Sequence, residues 1–444
     1  MKRYSEYKDS GVKWIGEIPE HWKMPRLKML TSFHNGDRSV NYPSGDDFVD
    51  DGIPFCGADS LCGLYVDLNY ARFITDKKYK LLGGFKIRKN DILYTLRGST
   101  IGKNAMALFS EGTVASSLMG IRKTTNRLIS NYLLYTLNSI CEENQRNVLI
   151  NGSTAPNLSA EDVGIFFIPL PPLPEQETIV TYLDTKVAKI DEYISIAEKK
   201  IAALEELKQT IIAEAVTRGI HKEVPMKDSG VKWIGMIPEH WKVLCLKYLS
   251  KIKGRIGYRG YTAADLVSEG EGAFVIGGKH INQCILNTES PDYISWDKYY
   301  ESPEIMVSKG DIVMAQRGSL GKVALIDKEI NEATINPSLV LIKDICCDAS
   351  FLYFYLRSNS TLTLIELLNT ATAVPMISQK QIEKMPIPLP PLPEQQEIVT
   401  YIEAKVAKID QLCQAERSQI EKLKEYKQRL ISDVVTGKVK VTND

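Results

Sequence analysis

Two stretches of the chain have the same hydrophobic rhythm. In the first, Val180, Leu183, Val187, Ile190, Ile194, Ala197, Ile201, Leu204, Lys208, Ile211 and Ala215 follow one another in alternating steps of three and four. Val399, Ile402, Val406, Ile409, Cys413, Glu416, Ile420, Leu423, Lys427, Leu430 and Val434 keep the same register in the second. This is the apolar seam of a coiled coil. Each run lacks internal Gly and Pro, has Pro174 or Pro393 in its first turn and is followed by Gly219 or Gly437, so it predicts one uninterrupted helix. Each helix should be roughly 65 Å long at about 1.5 Å per residue. Both are entered through the same stiff elbow, Ile168-Pro-Leu-Pro-Pro-Leu-Pro-Glu-Gln176 and Ile387-Pro-Leu-Pro-Pro-Leu-Pro-Glu-Gln395.

The rest of the chain alternates differently. Short apolar runs such as Asp91 to Leu96 and Asp311 to Ala315, separated by Gly-rich turns, predict strands; 130–140 and 349–368 predict helices. Lys8-Asp-Ser-Gly-Val-Lys-Trp-Ile-Gly-Glu-Ile-Pro-Glu-His-Trp-Lys23 returns at Lys227 to Lys242 with Met236 in place of Glu17, a shift of 219 positions that the elbows and helices share. The chain is thus a duplication: head, helix, head, helix. The expected fold is mixed α/β, with heads at 1–172 and 220–391, long helices at 173–219 and 392–438, and a tail at 439–444. Because each head is expected to have its ends close together, connectivity predicts antiparallel helices, a head at either end and an internal pseudo-two-fold axis.

Composition adds limits. Lys plus Arg equals Asp plus Glu at 55 each, so net charge gives no support to nucleic-acid binding. No apolar run of about 18 residues suggests a membrane span, and the polar start predicts no secretory signal, so a cytoplasmic location is expected. The eight cysteines form no CxxC pair, which favours reduced thiols over a metal site. His21 and His240 have no second ligand nearby in sequence, so packing is the expected role.

What favours a ligand is local. Lys242, Lys247, Lys251, Lys253, Arg255 and Arg259 occur without an intervening acid, interleaved with Tyr248, Tyr258 and Tyr261. Cations release counterions from phosphates and arginine bridges guanine edges, so this is the best DNA-facing stretch. The first head offers Asn35 and Arg38 at the equivalent place, beside His34 and Asn41. Arg97-Gly-Ser-Thr-Ile-Gly-Lys103 and Arg317-Gly-Ser-Leu-Gly-Lys322 each follow a predicted strand, where glycine permits close approach to a phosphate. Arg97, Ser99, Lys103, Arg317, Ser319 and Lys322 are therefore candidate phosphate anchors, with a structural turn as the alternative. Neither loop has P-loop spacing. Apolar residues beside the seams, Ile179, Tyr182, Tyr193, Ile196 and Leu207 on one helix and Ile398, Tyr401, Leu412 and Tyr426 on the other, make the stripe wider than two helices need. They are candidate partner contacts, or else pack on the heads.

In this order and in two tandem copies, the Gly-x-Ile-Pro-Glu-His-Trp entrances, the Asp-Ile and Arg-Gly motifs and the Pro-Leu-Pro-Pro-Leu-Pro-Glu-Gln elbows resemble the specificity (S) subunit of type I restriction and modification enzymes. The resemblance covers nearly the whole chain. It implies two target recognition domains, each reading half of a bipartite site on double-stranded DNA. The helices would act as a ruler and dock two methyltransferase subunits, which restriction subunits join. It implies no catalysis and no cofactor of the chain's own. A stand-alone methyltransferase or nuclease is the enzymatic alternative, but no Asn-Pro-Pro-Tyr or Asp-Pro-Pro-Tyr motif and no convincing cofactor loop occurs. A coiled-coil scaffold with protein-binding heads is the other alternative.

Overall fold

The structure, a computed structural model, describes residues 3–150, 156–221, 223–257, 260–369 and 375–441. The two predicted long helices are Leu173–Arg218 and Leu392–Val435. The chain divides into two compact units, one formed by Met1–Ala197 with Arg417–Asp444 and the other by Glu198–Glu416. Each unit therefore holds one head and a portion of both long helices.

In the first unit a six-stranded sheet runs in the order Thr31–Asn35, Leu118–Lys123, Ile92–Thr95, Asn104–Met106, Tyr65–Val66 and Leu61–Cys62. A four-stranded sheet orders Thr113–Val114, Ile53–Cys56, Arg72–Ile74 and Phe48–Val49. The large core joins Trp22, Tyr132 and Tyr135 to Ile179, Leu183, Val187 and Ile190 of one long helix and Leu430, Ile431, Val434 and Val435 of the other. The helices run antiparallel here: Tyr132 Oη donates to Pro169 O and to Val435 O, whereas Lys427 Nζ reaches Asp191 Oδ1 at 2.6 Å.

The second unit repeats this plan. One sheet orders Lys251–Gly254, Leu339–Lys343, Ile312–Ala315 and Val323–Leu325; another orders Leu266–Val267, Asp292–Ser295, Gly272–Ile276 and Ala333–Ile335. The counterpart of the first head's outer strands, Ile281–Asn282 with Ile285–Leu286, forms a separate ribbon. Lys200 pairs with Glu416, Lys208 with Asp410 and His221 with Glu397, so the helices are antiparallel in this unit as well. Lys208–Asp410 and Lys427–Asp191 are the same ion pair displaced by the 219-residue repeat. The seam's polar positions are thus filled by cross-helix charges, a device that fixes register in helical pairs.

The elbows follow from two side chains. Gln176, fully buried, accepts from Ile129 N and donates to Arg127 O and Pro171 O. Gln395 likewise accepts from Asp348 N and donates to Pro390 O. Glu175 accepts from Trp22 Nε1 at 3.2 Å and meets His21 Nε2 at 2.8 Å, and Glu394 does the same for Trp241 and His240 at 3.1 and 2.7 Å. Both histidines are exposed rather than packed, and each meets the entrance glutamate from the surface. The second elbow is also a strand, Pro386–Leu389, paired with Lys242–Cys245.

Two expectations need correction. The segments at 130–140 and 349–368 are not single helices: Ser130–Leu137 breaks before Ile140–Leu149, and Ala349–Leu356 before Asn359–Leu368. A serine stands at each break, Ser139 donating to Thr136 O and Ser358 to Tyr355 O, and this local bonding competes with helix continuation. At its start the first seam is led by Ile179 and not by Val180, because there the helix turns its buried face toward the head.

Candidate nucleic-acid interface

Sheet register brings the sequence-predicted residues of each head to one place. In the first head Asn35 pairs with Met119, and Leu118 with Thr95, so the loops after Asn35 and after Thr95 leave the same end of the sheet. Asn35 and Arg38 on one loop and Arg97, Ser99 and Lys103 on the other are all exposed there. In the second head Gly254 pairs with Val340 and Ala315 with Leu339, which places residues 255–257 and the loop 316–322 at the corresponding end. Tyr258 and Arg259 lie outside the described residues.

The Arg-Gly loops are built alike. Gly98 N–H donates to Pro156 O and Arg97 Nε donates to Asn157 Oδ1 at 3.0 Å; Gly318 N–H donates to Pro375 O, and Arg317 lies against Met376. Gly98 and Gly318 have φ of 88° and 78°, a region that favours glycine. Lys103 Nζ donates to Ala58 O and Lys322 Nζ to Gly278 O. The loops are therefore structural turns, and they also present exposed Arg97, Ser99, Arg317 and Ser319 at the convergent sheet end. Beneath the first loop, Glu142 is buried with Tyr94 and Arg146, and burial pushes its carboxyl up to about 7. A Cβ on Gly102 would stand 2.2 Å from Arg146 Nε, so loop and network are packed tightly together.

The loop at 36–42 is braced from several sides. A Cβ on Gly36 would meet Ala115 O at 2.3 Å, and one on Gly84 would meet Asp37 N at the same distance. Asp37, only 7% exposed, accepts from Ser39 N and Gly83 N, each at 2.6 Å. Hydrogen bonds from the Ser39 side chain and backbone, and from Gly83 and Gly84, hold its carboxyl below the usual range. Sequence reasoning missed Asp37, whose partners stand far away in the chain, and Val40, which is fully exposed at the loop's tip.

The basic stretch of the second head is less uniform than its sequence suggests. Lys253 projects from the edge strand. Lys251 sits at the other end of that strand, opposite Lys343, and pairs with Asp344 at 2.7 Å, which raises the lysine's pKa and lowers the aspartate's. Arg255 is corrected outright as a phosphate contact, being 7% exposed. Its guanidinium donates to Ile335 O and Thr334 Oγ1 and lies over Tyr261, and burial lowers its pKa.

The expected partner contacts also divide. Ile179 and Ile398 are completely buried in the cores of their own heads and cannot meet another protein. Tyr182 is half-buried, whereas Tyr193, Ile196 and Tyr426 in the first unit and Leu207, Tyr401 and Leu412 in the second are exposed.

Among the described residues no group of His, Cys, Asp and Glu could hold a metal ion, and no helix is long and apolar enough to cross a membrane. The chain is 26% identical over 449 residues to the putative type I restriction enzyme MjaX specificity subunit of Methanocaldococcus jannaschii, covering 98% of each protein. It is 24% identical over 445 residues to the MjaVIII specificity subunit of the same organism, again covering 98% of each. A chain solved in a study of complex assembly and conformational transition of the type I R-M system shares the fold, with a TM-score of 0.71 at 19% identity over 95% of this chain and 99% of that one. The model of the type I restriction modification DNA specificity domain matches twice, at residues 19–206 and 238–422, each match taking in one head and much of the helix that follows it. With both halves matched, the chain belongs to the type I restriction-modification DNA specificity family.

Proposed function

We propose that this chain is the non-catalytic recognition subunit of a type I restriction-modification complex, in which each head reads one short block of an asymmetric, bipartite site in double-stranded DNA. The observation that carries this reading is the repetition of one frame with different contents. Both heads bring two loops to the same end of a sheet, yet Asn35-Gly-Asp-Arg38 stands in one where Gly254-Arg-Ile-Gly257 stands in the other. A common frame with unlike loops suits a common task performed on unlike half-sites. The paired helices would hold the heads at a set interval and so fix an unread spacer, since the major groove returns to one face of the duplex every 34 to 36 Å or so.

Two methyltransferase subunits would dock on the exposed apolar residues of the helices, Tyr193 and Tyr426 in one unit and Leu207 and Leu412 in the other, and restriction subunits would join that assembly. Exposed tyrosines on rigid helices are effective anchors for such contacts. Methylated bases mapped in the native strain, with and without this chain, test the reading. The expected motif has two defined blocks around a gap of fixed length, and exchanging one head changes one block only. A methylation pattern indifferent to deletion of the chain, in cells with active partner subunits, refutes it.

A further inference from the structure

The first head carries a fully exposed apolar side chain on a loop that is otherwise held rigidly. Val40 has no cover, yet its loop is braced by Gly36 against Ala115, by the Asp37 carboxylate on Ser39 and Gly83, and by the edge of Tyr42 on Phe55 at 5.6 Å. What sets Val40 apart from other exposed apolar residues is its place, on a braced loop that leaves the same end of the sheet as the loop carrying exposed Arg97 and Ser99. Its neighbour Arg38 is exposed and of the type that bridges guanine edges, while Asn41 donates its side-chain amide to Leu81 O and so adds to the bracing. In the major groove the apolar group on a base edge is the thymine methyl.

We propose that loop 36–42 is a base-reading element of the first head, that Val40 packs on a thymine methyl group in its half-site, and that Asp37 is the positioning residue that keeps the loop in shape. This rests on the reading that the head recognises DNA. At the equivalent place the second head has Arg255 where the first has Gly36, and its guanidinium is buried against Ile335 O and Thr334 Oγ1, so the bracing of the first loop is not repeated there.

The test uses the full chain assembled with its methyltransferase subunits. Once methylation mapping has given the motif, each thymine of the first block is replaced in turn by deoxyuridine in a short duplex. One replacement should weaken binding of the wild-type complex about fourfold, the worth of one buried methyl-sized group, and should not weaken binding by the Val40→Ala complex. Asp37→Asn keeps one acceptor oxygen and should relax discrimination in the first block alone, leaving the second unchanged, which a general loss of stability would not do. A first block without thymine, or deoxyuridine penalties that are the same for the wild-type and Val40→Ala complexes, overturns the inference and leaves the functional reading standing. So does a Val40→Ala complex that loses methyltransferase subunits but keeps its discrimination, since the loop would then be a protein contact. Methylation that persists without the chain overturns the functional reading itself.

Discussion

Replacing Glu175 or Glu394 by alanine tests the helix entrances with an internal control, because the two glutamates hold equivalent partners in different heads. Each accepts a hydrogen bond from the indole of a tryptophan that is 0% exposed, Trp22 or Trp241. Removing the carboxylate leaves that N–H without a partner, at about 1–3 kcal/mol. The histidine contacts are half exposed and add little, about 0–1 kcal/mol. Glu175 also accepts a hydrogen bond from the Tyr4 hydroxyl, for which Glu394 has no counterpart because Glu223 occupies the repeat-equivalent position. Water can partly replace that bond, so about 1 kcal/mol is a fair increment. Glu394→Ala should therefore cost about 2 kcal/mol and Glu175→Ala about 3. Native-state hydrogen exchange on the full chain reads both. The amides of Trp22 and Trp241, bonded to Pro19 O and Pro238 O, should exchange roughly 150-fold and 30-fold faster in the respective variants, each with the other head unaffected. Equal acceleration in the two heads would refute the role given to Tyr4. Acceleration below threefold in both would refute the claim that these glutamates hold the entrances.

Glu142 predicts a dependence on pH. Its folded pKa of about 7 lies above the ordinary 4.5, so its contribution to stability is complete below 4.5 and falls away as pH rises through 7. Glu142→Gln should remove a fall of up to roughly 3 kcal/mol in the first unit between pH 4.5 and 8, measured by hydrogen exchange at Ile140–Leu149. Charge reversal at Asp410 should weaken helix pairing in the second unit by about 1 kcal/mol, and adding Lys208→Glu should restore it in a double-mutant cycle. Tyr193→Ala with Tyr426→Ala should lower methyltransferase-subunit binding at least about tenfold in a co-purification titration while circular dichroism stays unchanged. Unchanged binding would remove those tyrosines from the docking surface.

Periodicity and repetition made the frame legible. Gly and Pro punctuate both long helices, and the 219-residue shift carries the Lys–Asp pair of the seam as well as its apolar positions. What escaped depends on neighbours remote in the chain. Arg255 reads as a surface cation until Thr334 and Ile335 close around it. Asp37 reads as one more loop acid until Gly83 approaches. Ile179 and Ile398 look like surplus surface only because the head that covers each of them cannot be seen in a helical repeat. The breaks at Ser139 and Ser358 had a signal in the sequence, since polar Asn138-Ser139 and Arg357-Ser-Asn-Ser-Thr361 interrupt the apolar runs and serine bonds readily to its own helix.

Because Asp191–Lys427 and Lys208–Asp410 are one pairing written twice, genetic exchange has an unusual freedom here. The nearly identical stretches starting at Lys8 and Lys227, and the identical elbows, offer crossover points on either side of a head. A recombinant that imports a foreign head between them would inherit helices whose charges already match. Lineages could then acquire new target sequences by cassette exchange, with no compensating change in the helices.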